Sequence, residues 1–186
     1  ACKGLLIEES RTNACFNSNL LTSVSWLATA TTVASDAAGP DGTTAYEISE
    51  TTASAVHAFV NSGSNTSTPL TVITSGVAYT QSVFLKKSVG SVDWIQLTFT
   101  GGGFVAGQFA NFNLSTGTAG NLSGVTSRIE KVPNEWYRCS ITATATSTIS
   151  NGNAVIIQFT NNTNTTVRGL SYIGSTANKI LVAMGQ

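Results

Sequence analysis

A chain of 186 residues is long enough to bury one core of ordinary size, which predicts a single domain. Nine acidic and nine basic residues give no net charge, and no basic run exceeds the pair Lys86-Lys87, which argues against nucleic acid as a partner. No stretch is apolar and long enough for a signal peptide or a membrane span, so we expect no membrane partner.

Polarity comes mostly from Thr, Ser, Asn and Gly, and strong helix formers are scarce. Short runs of alternating apolar and polar residues recur between clusters of turn-forming residues, which predicts an all-β fold. The predicted strands cover residues 5–8, 45–50, 55–60, 79–86, 94–99, 108–114, 125–131, 135–145, 154–160 and 179–184. Polar loops are predicted at 31–44, 61–71 and 160–175. So many strands in one domain indicate two packed antiparallel sheets, a β-sandwich of the jelly-roll type.

The inventory for catalysis is poor. His57 is the only histidine, and its strand places no identifiable nucleophile or acid beside it, so we expect a surface histidine without a chemical role. Glu8 and Glu9 are adjacent and would point to opposite faces of a strand, so they cannot form a converging pair. The carboxylates expected to be solvated loop and turn residues are Asp36, Asp41, Glu47 and Glu50. The sequence therefore predicts no catalytic residue and no enzyme.

Metal ligands are also sparse. Cys2, Cys15 and Cys139 are an odd number without the close pairing of zinc sites. A Cys2–Cys15 bridge and free thiols both stay open, and Cys139 is expected to fill a small space in the core. Asp36 and Asp41 are the only close loop pair for calcium, which prefers several oxygen ligands. We expect no metal and no cofactor.

Two strands flank the glycine-rich segment 101–107, which suits a long hairpin. Their alternation predicts which side chains point inward. The residues expected in the core are Ile95, Leu97, Phe99, Ala110, Phe112 and Leu114. The residues expected on the outer face are Trp94, Gln96, Thr98, Phe109, Asn111 and Asn113.

That outer face is the predicted recognition site. Aromatic rings beside amides suit sugars, because the apolar face of a sugar stacks on a ring while its hydroxyls meet the amides. The alternative is that the same face packs on a neighbouring subunit, as exposed aromatic residues in multimeric proteins do. Phe104, at the expected tip of the hairpin loop, is a second candidate for either role.

Several phrases of the sequence resemble structural proteins of tailed bacteriophages. Residues 2–13 read CKGLLIEESRTN, which resembles a phrase found just ahead of a jelly-roll domain in many of these proteins. The order then continues, as in similar proteins, with Trp26 and a Pro-Asp-Gly-Thr turn at 40–43. Further similar phrases are AYTQSVFLK at 78–86, NFNLSTG at 111–117, NEWYRCS at 134–140 and AMGQ at 183–186. The resemblance spans nearly the whole chain, and both ends are expected to lie inside a larger or processed protein.

The resemblance implies a fold similar to carbohydrate-binding modules and a place in tail fibres, minor tail proteins or capsid decorations. It also implies an N-terminal segment at 1–25 that packs on a jelly-roll domain at 26–186. The chain departs from the family pattern at two places. Asn111 or Asn113 stands where the family has an acidic residue, and Ala183-Met184 replaces the tryptophan of its closing strand.

These observations predict a non-enzymatic structural protein on the virion surface, with host cell-surface polysaccharide as an additional ligand. Its expected partners are other virion proteins and further copies of itself, with a trimer favoured. One alternative is a stand-alone carbohydrate-binding module of a secreted bacterial protein. The other is a purely architectural domain that cements or trimerises the particle without a ligand.

Overall fold

The computed structural model describes residues 21–22, 26–61, 72–88, 92–99, 103–150 and 155–183. These residues form fourteen β-strands and one 3-10 turn at Pro133–Glu135, and no α-helix occurs among them. The predicted strand at 5–8 and nearly all of the predicted N-terminal segment at 1–25 lie outside the described residues.

The first sheet has six antiparallel strands. In spatial order they are β1 (Trp26–Thr29), β5 (Ala58–Asn61), β12 (Val155–Phe159), β7 (Trp94–Thr98), β8 (Phe109–Asn113) and β9 (Thr118–Ser123). The second sheet also has six: β10 (Thr126–Val132), β11 (Trp136–Thr144), β6 (Ala78–Lys87), β14 (Lys179–Ala183), β3 (Thr44–Glu50) and β2 (Thr31–Ala38). A separate ribbon pairs β13 (Ser171–Ile173) with β4 (Ser54–Val56).

The path of the chain between the sheets gives a jelly roll. The chain passes from β3 in the second sheet to β5 in the first, back to β6, and then to β7 and β8. It returns through β11, β12 and β14, so the central strand orders are β3–β14–β6–β11 and β5–β12–β7–β8. Two four-stranded layers connected in this way are the jelly-roll arrangement. The prediction of an all-β, two-sheet antiparallel sandwich is confirmed.

The core lies between the sheets and follows the predicted alternation. Ile95, Leu97, Ala110 and Phe112 are fully buried and point inward from β7 and β8. Opposite them, the second sheet contributes Ile48, Val83, Leu85, Cys139, Ile141, Ile180 and Val182. Burial of each large aliphatic or aromatic side chain contributes about 1.5–3 kcal/mol, so this layer is the main source of stability. Burial also raises the pKa of the Cys139 thiol, which fills the core as expected.

Four strands lie where the sequence predicts none. β2 occupies most of the predicted loop at 31–44, and β1 and β9 also fall outside the predicted strands. The predicted strand at 55–60 is divided at His57 into β4 and β5, which pair with different partners. The predicted loop at 160–175 contains the short strand β13.

Candidate functional site

The predicted recognition face is assembled as the alternation indicates. β7 and β8 are neighbours, and their register sets Trp94 opposite Asn113, Gln96 opposite Asn111 and Thr98 opposite Phe109. Paired residues of an antiparallel ladder share one side of the sheet, so these side chains form a single surface on the side away from the core.

That surface is not exposed, so the expected open aromatic plane is wrong. Gln96 and Asn111 are fully buried, Phe109 is 3% exposed, and Trp94 is half-buried. The chain itself covers part of this face with residues 161–169, which we call the strap. The strap follows β12 and leads into β13. The alternation within β7 and β8 shows which side chains share a face, but it cannot predict that a distant segment of the chain covers that face.

Gln96 is bound to the strap through both ends of its amide. Its Nε2 donates to Asn111 Oδ1 at 2.9 Å and to the carbonyl oxygen of Val167 at 3.1 Å. Its Oε1 accepts the backbone N–H of Gly169 at 2.9 Å. No hydrogen-bonding capacity of this amide is left pointing to solvent, so Gln96 serves the fold.

Asn111 and Asn121 extend the same network toward the edge of the sheet. Asn111 Nδ2 donates to Asn164 Oδ1 at 3.0 Å and to the carbonyl oxygen of Thr165 at 2.7 Å. Asn164 Oδ1 also accepts the backbone N–H of Asn121 at 2.7 Å, and Asn121 Nδ2 donates to the carbonyl oxygen of Asn164 at 2.8 Å. Asn111 is fully buried with both Nδ2 hydrogen bonds made, and Asn121 and Asn164 complete the network at the exposed edge, so together they hold the strap and the sheet in one register.

Trp94 lies at the rim of this network. A methyl group placed on Gly120 would come within 2.5 Å of the Trp94 ring and 2.3 Å of Asn164 Oδ1, so only glycine fits between them. Asn162 Oδ1 accepts the backbone N–H of Asp93 at 2.6 Å and that of Trp94 at 3.3 Å. The strap is therefore fastened at the start of β7 as well as over its centre.

The two remaining candidates have local structural roles. Asn113 Oδ1 accepts the backbone N–H groups of Ser115 and Thr116, both at 2.9 Å, and so fixes the turn from β8 to β9. Phe104 does not project from a loop tip, as the sequence suggested. Its ring stacks on Phe99 with centroids 4.3 Å apart and meets Tyr79 edge-on at 6.0 Å, so it closes one end of the core.

A buried polar cluster was missed by the sequence interpretation. Glu50 is 1% exposed and His57 is fully buried, so the expectations of a solvated carboxylate and a surface histidine are wrong. Both contact Tyr172: its hydroxyl donates to Glu50 Oε1, and its carbonyl oxygen lies 3.3 Å from His57 Nε2. The alternating pattern could have predicted the burial of Glu50, because Glu50 points to the same side of its strand as the core residues Tyr46 and Ile48.

The other described carboxylates do not converge with this cluster. Asp41 accepts from the backbone and the hydroxyl of Thr43, and these hydrogen bonds lower the pKa of its carboxyl. Glu47 pairs with Lys179 at 2.8 Å and accepts from Ser88. The hydrogen bond from Lys179 is the main cause of the lowered pKa of Glu47. Within the described ranges, no group of three or more His, Cys, Asp or Glu is placed to hold a metal ion.

No protein-family model matches the chain, and no curated protein is significantly similar to it in sequence. The likeness to tailed-phage proteins therefore stays a prediction that depends on the sequence phrases themselves. In the part of the chain that the structure describes, no helix is long and apolar enough to span a membrane.

Charge is divided between the two sheets. Within the described strands, every charged residue belongs to the second sheet, on β2, β3, β6, β10, β11 and β14. The six strands of the first sheet contain none, and neither does the strap up to Val167. The exposed surface made by residues 161–167 of the strap and the strap-facing residues of β9, which includes Val167 at 50% exposed, therefore carries no charged residue, and Arg168 lies just beyond it. We call it the uncharged side.

Proposed function

We propose that this chain is a structural domain on the surface of a tailed-phage particle and that it contacts other chains through its uncharged side. The observation that carries the proposal is the division of charge between the sheets. Interface cores are depleted of charged residues, because a charge that loses its water without a partner costs several kcal/mol. The location on a phage particle comes from the sequence phrases at 2–13, 111–117 and 134–140.

The strap favours an architectural role over sugar binding at the predicted face. A sugar that used the amides of Gln96 and Asn111 would have to break their hydrogen bonds to Val167, Thr165 and Asn164. The amides of Gln96 and Asn111 are fully buried, and each of their polar groups left unsatisfied costs about 1–3 kcal/mol. The amides thus hold the strap in a fixed shape, and a rigid surface loses little entropy when it docks on a partner.

A lysine on the uncharged side tests the proposal. We expect the isolated chain to self-associate and Val167→Lys on the strap to weaken association at least tenfold, because the new charge would be buried against the neighbour. Val72→Lys is the matched control, since Val72 is also exposed but lies outside the uncharged side. Light scattering across a concentration series measures the mass. A wild-type chain that stays monomeric at high concentration, or equal effects of the two substitutions, would contradict self-contact through this surface.

A polysaccharide ligand is a second candidate, favoured by the position of Trp94. Of the three tryptophans, Trp26 and Trp136 are buried, whereas Trp94 keeps part of its ring exposed beside the strap. A glycan that stacks there should therefore change the fluorescence of this residue, and Trp94→Ala should abolish the change. Titration with a panel of host polysaccharides measures it. If the fluorescence of the wild-type chain does not change with any glycan, the polysaccharide candidate is contradicted and the architectural role remains.

A further inference from the structure

Two asparagine side chains lie beside the half-buried ring of Trp94. Asn113 stands directly opposite Trp94 in the ladder of β7 and β8, so the two side chains share one face of the sheet. Asn164 of the strap is also a neighbour of the ring, because a methyl group on Gly120 would lie 2.3 Å from Asn164 Oδ1 and 2.5 Å from the Trp94 ring. The two amides therefore border one aromatic ring at the rim of the strap.

The oxygen of each amide is fully used inside the protein. Asn113 Oδ1 accepts two backbone N–H groups from the turn that follows β8, both at 2.9 Å. Asn164 Oδ1 accepts the backbone N–H of Asn121 at 2.7 Å and the side-chain amide of Asn111 at 3.0 Å. An amide oxygen has two lone pairs, so neither oxygen has one left to accept a hydrogen bond from a ligand.

The same hydrogen bonds fix the direction of both amides. A backbone N–H group can only donate, so the atom that meets it must be the amide oxygen, and the NH₂ group must occupy the other branch. Neither NH₂ group makes a hydrogen bond to a residue that the structure describes. Asn113 is only 9% exposed, so its unpartnered NH₂ group is a donor in a nearly closed setting. These two side chains therefore offer a ligand donors and no acceptor.

The charge next to the ring is compensated. Asp93 precedes Trp94, and its carboxylate accepts from Lys87 at 2.5 Å and from the hydroxyl of Ser115. The hydrogen bond from Lys87 is the main cause of the lowered pKa of Asp93. Residues 161–167 of the strap carry no charge. An anionic ligand would lose its water beside a paired carboxylate and uncharged amides, which disfavours it.

A neutral group that only accepts hydrogen bonds fits this set of partners best. A sugar hydroxyl both donates and accepts, so its hydrogen would find no acceptor on either amide. The carbonyl of an acetyl group only accepts, and the methyl group beside it can contact an aromatic ring. Both amides are already held by their oxygens, so little side-chain entropy is lost when their NH₂ groups bind.

We propose that Trp94, Asn113 and Asn164 form a subsite for the acetyl group of an acetylated sugar. The acetyl carbonyl accepts from the two NH₂ groups, and the apolar part of the sugar packs on the Trp94 ring. This inference rests on the polysaccharide candidate for the function and names the group that the ligand carries. Sugars bear acetyl groups on nitrogen or on oxygen, and the carbonyl is an acceptor in both cases.

Matched oligosaccharides test the proposal on the unmodified chain. N-acetylated chitotetraose and cellotetraose share one backbone and differ only in the acetamido group that replaces a hydroxyl of each sugar. Acetylated xylan oligomers before and after mild alkali give the same comparison for an acetyl group on oxygen. We expect isothermal titration calorimetry to show at least one acetylated ligand binding about tenfold or more tightly than its unacetylated partner.

Two outcomes of this comparison overturn the acetyl subsite: equal affinity within each pair, or no binding of either acetylated ligand. The polysaccharide candidate itself is decided separately, by the fluorescence titration of Trp94 with the wider panel of glycans. A glycan that binds without any preference for acetyl groups would therefore remove the subsite and keep that candidate.

Asn113→Asp and Asn164→Asp test the two donors. Each substitution keeps an oxygen that accepts from the backbone and replaces only the NH₂ group, so the fold should be retained. We expect each to weaken binding of the preferred acetylated ligand by about tenfold or more, because a donor to the carbonyl is lost and a negative charge faces it. Asn134→Asp is the control for the added charge, since Asn134 is exposed on the turn between β10 and β11. Wild-type affinity in both folded variants, or an equal loss in the control, would refute this assignment of donors.

Discussion

Single polar side chains inside the sandwich are placed to complete the backbone pairing of its sheets. Gln81 of β6 is buried, and its Nε2 donates to the carbonyl oxygen of Thr98 at 2.8 Å while its Oε1 accepts the N–H of Ile156 at 2.9 Å. These two backbone groups belong to β7 and β12, just past the last ladder pair, Ile157 with Leu97. The Gln81 amide thus takes the place of a peptide group where the two strands separate.

Gln81→Leu should therefore be strongly destabilising. The substitution keeps the volume of the side chain but leaves a buried carbonyl and a buried N–H without partners, each of which costs about 1–3 kcal/mol. We expect the free energy of unfolding to fall by about 2–5 kcal/mol in urea denaturation. Thr80→Ala, which removes only the exposed hydrogen bond between Thr80 and Thr142, should change it by less than about 1 kcal/mol. Comparable losses in the two variants would show that Gln81 does not have this role.

At the scale of elements, the sequence predicted the central strands and failed at the edges. Strands β7, β8, β11 and β12 have a neighbour on each side and bury alternate residues against the core, so periodicity reveals them. Of the edge strands, β1, β2 and β9 were missed, because an edge strand has one neighbour and needs few apolar side chains. β9 shows the reason, since it reads TAGNLS and nearly all of its residues are exposed.

The candidate site was also predicted only in part. Which side chains share a face is a local property of a strand, so the grouping of Trp94, Gln96, Asn111 and Asn113 could be predicted. Whether that face meets water depends on where a distant loop lies, and the Thr/Asn-rich composition of the strap resembles any solvated loop. The burial of His57 and Glu50 could have been predicted from the alternation. His57 is two residues from the core residue Phe59, and Glu50 is two residues from the core residue Ile48, so each has the same position in the alternation as a buried apolar residue.

At the scale of the whole molecule, the division of charge predicts how the affinity of self-association responds to salt. A contact through the uncharged side should respond less than a contact between charged surfaces. The exposed ion pairs of the second sheet, such as Arg128 with Glu130, are screened as ionic strength rises. A contact through residues 161–167 and β9 of neighbouring copies buries no charge and depends on apolar area and hydrogen bonds. We therefore expect the dissociation constant of self-association to change by less than about threefold between 50 and 500 mM NaCl, measured by analytical ultracentrifugation. Weakening of tenfold or more across this range would mean that charged residues outside this surface make the contact, because salt screens the attraction between charges.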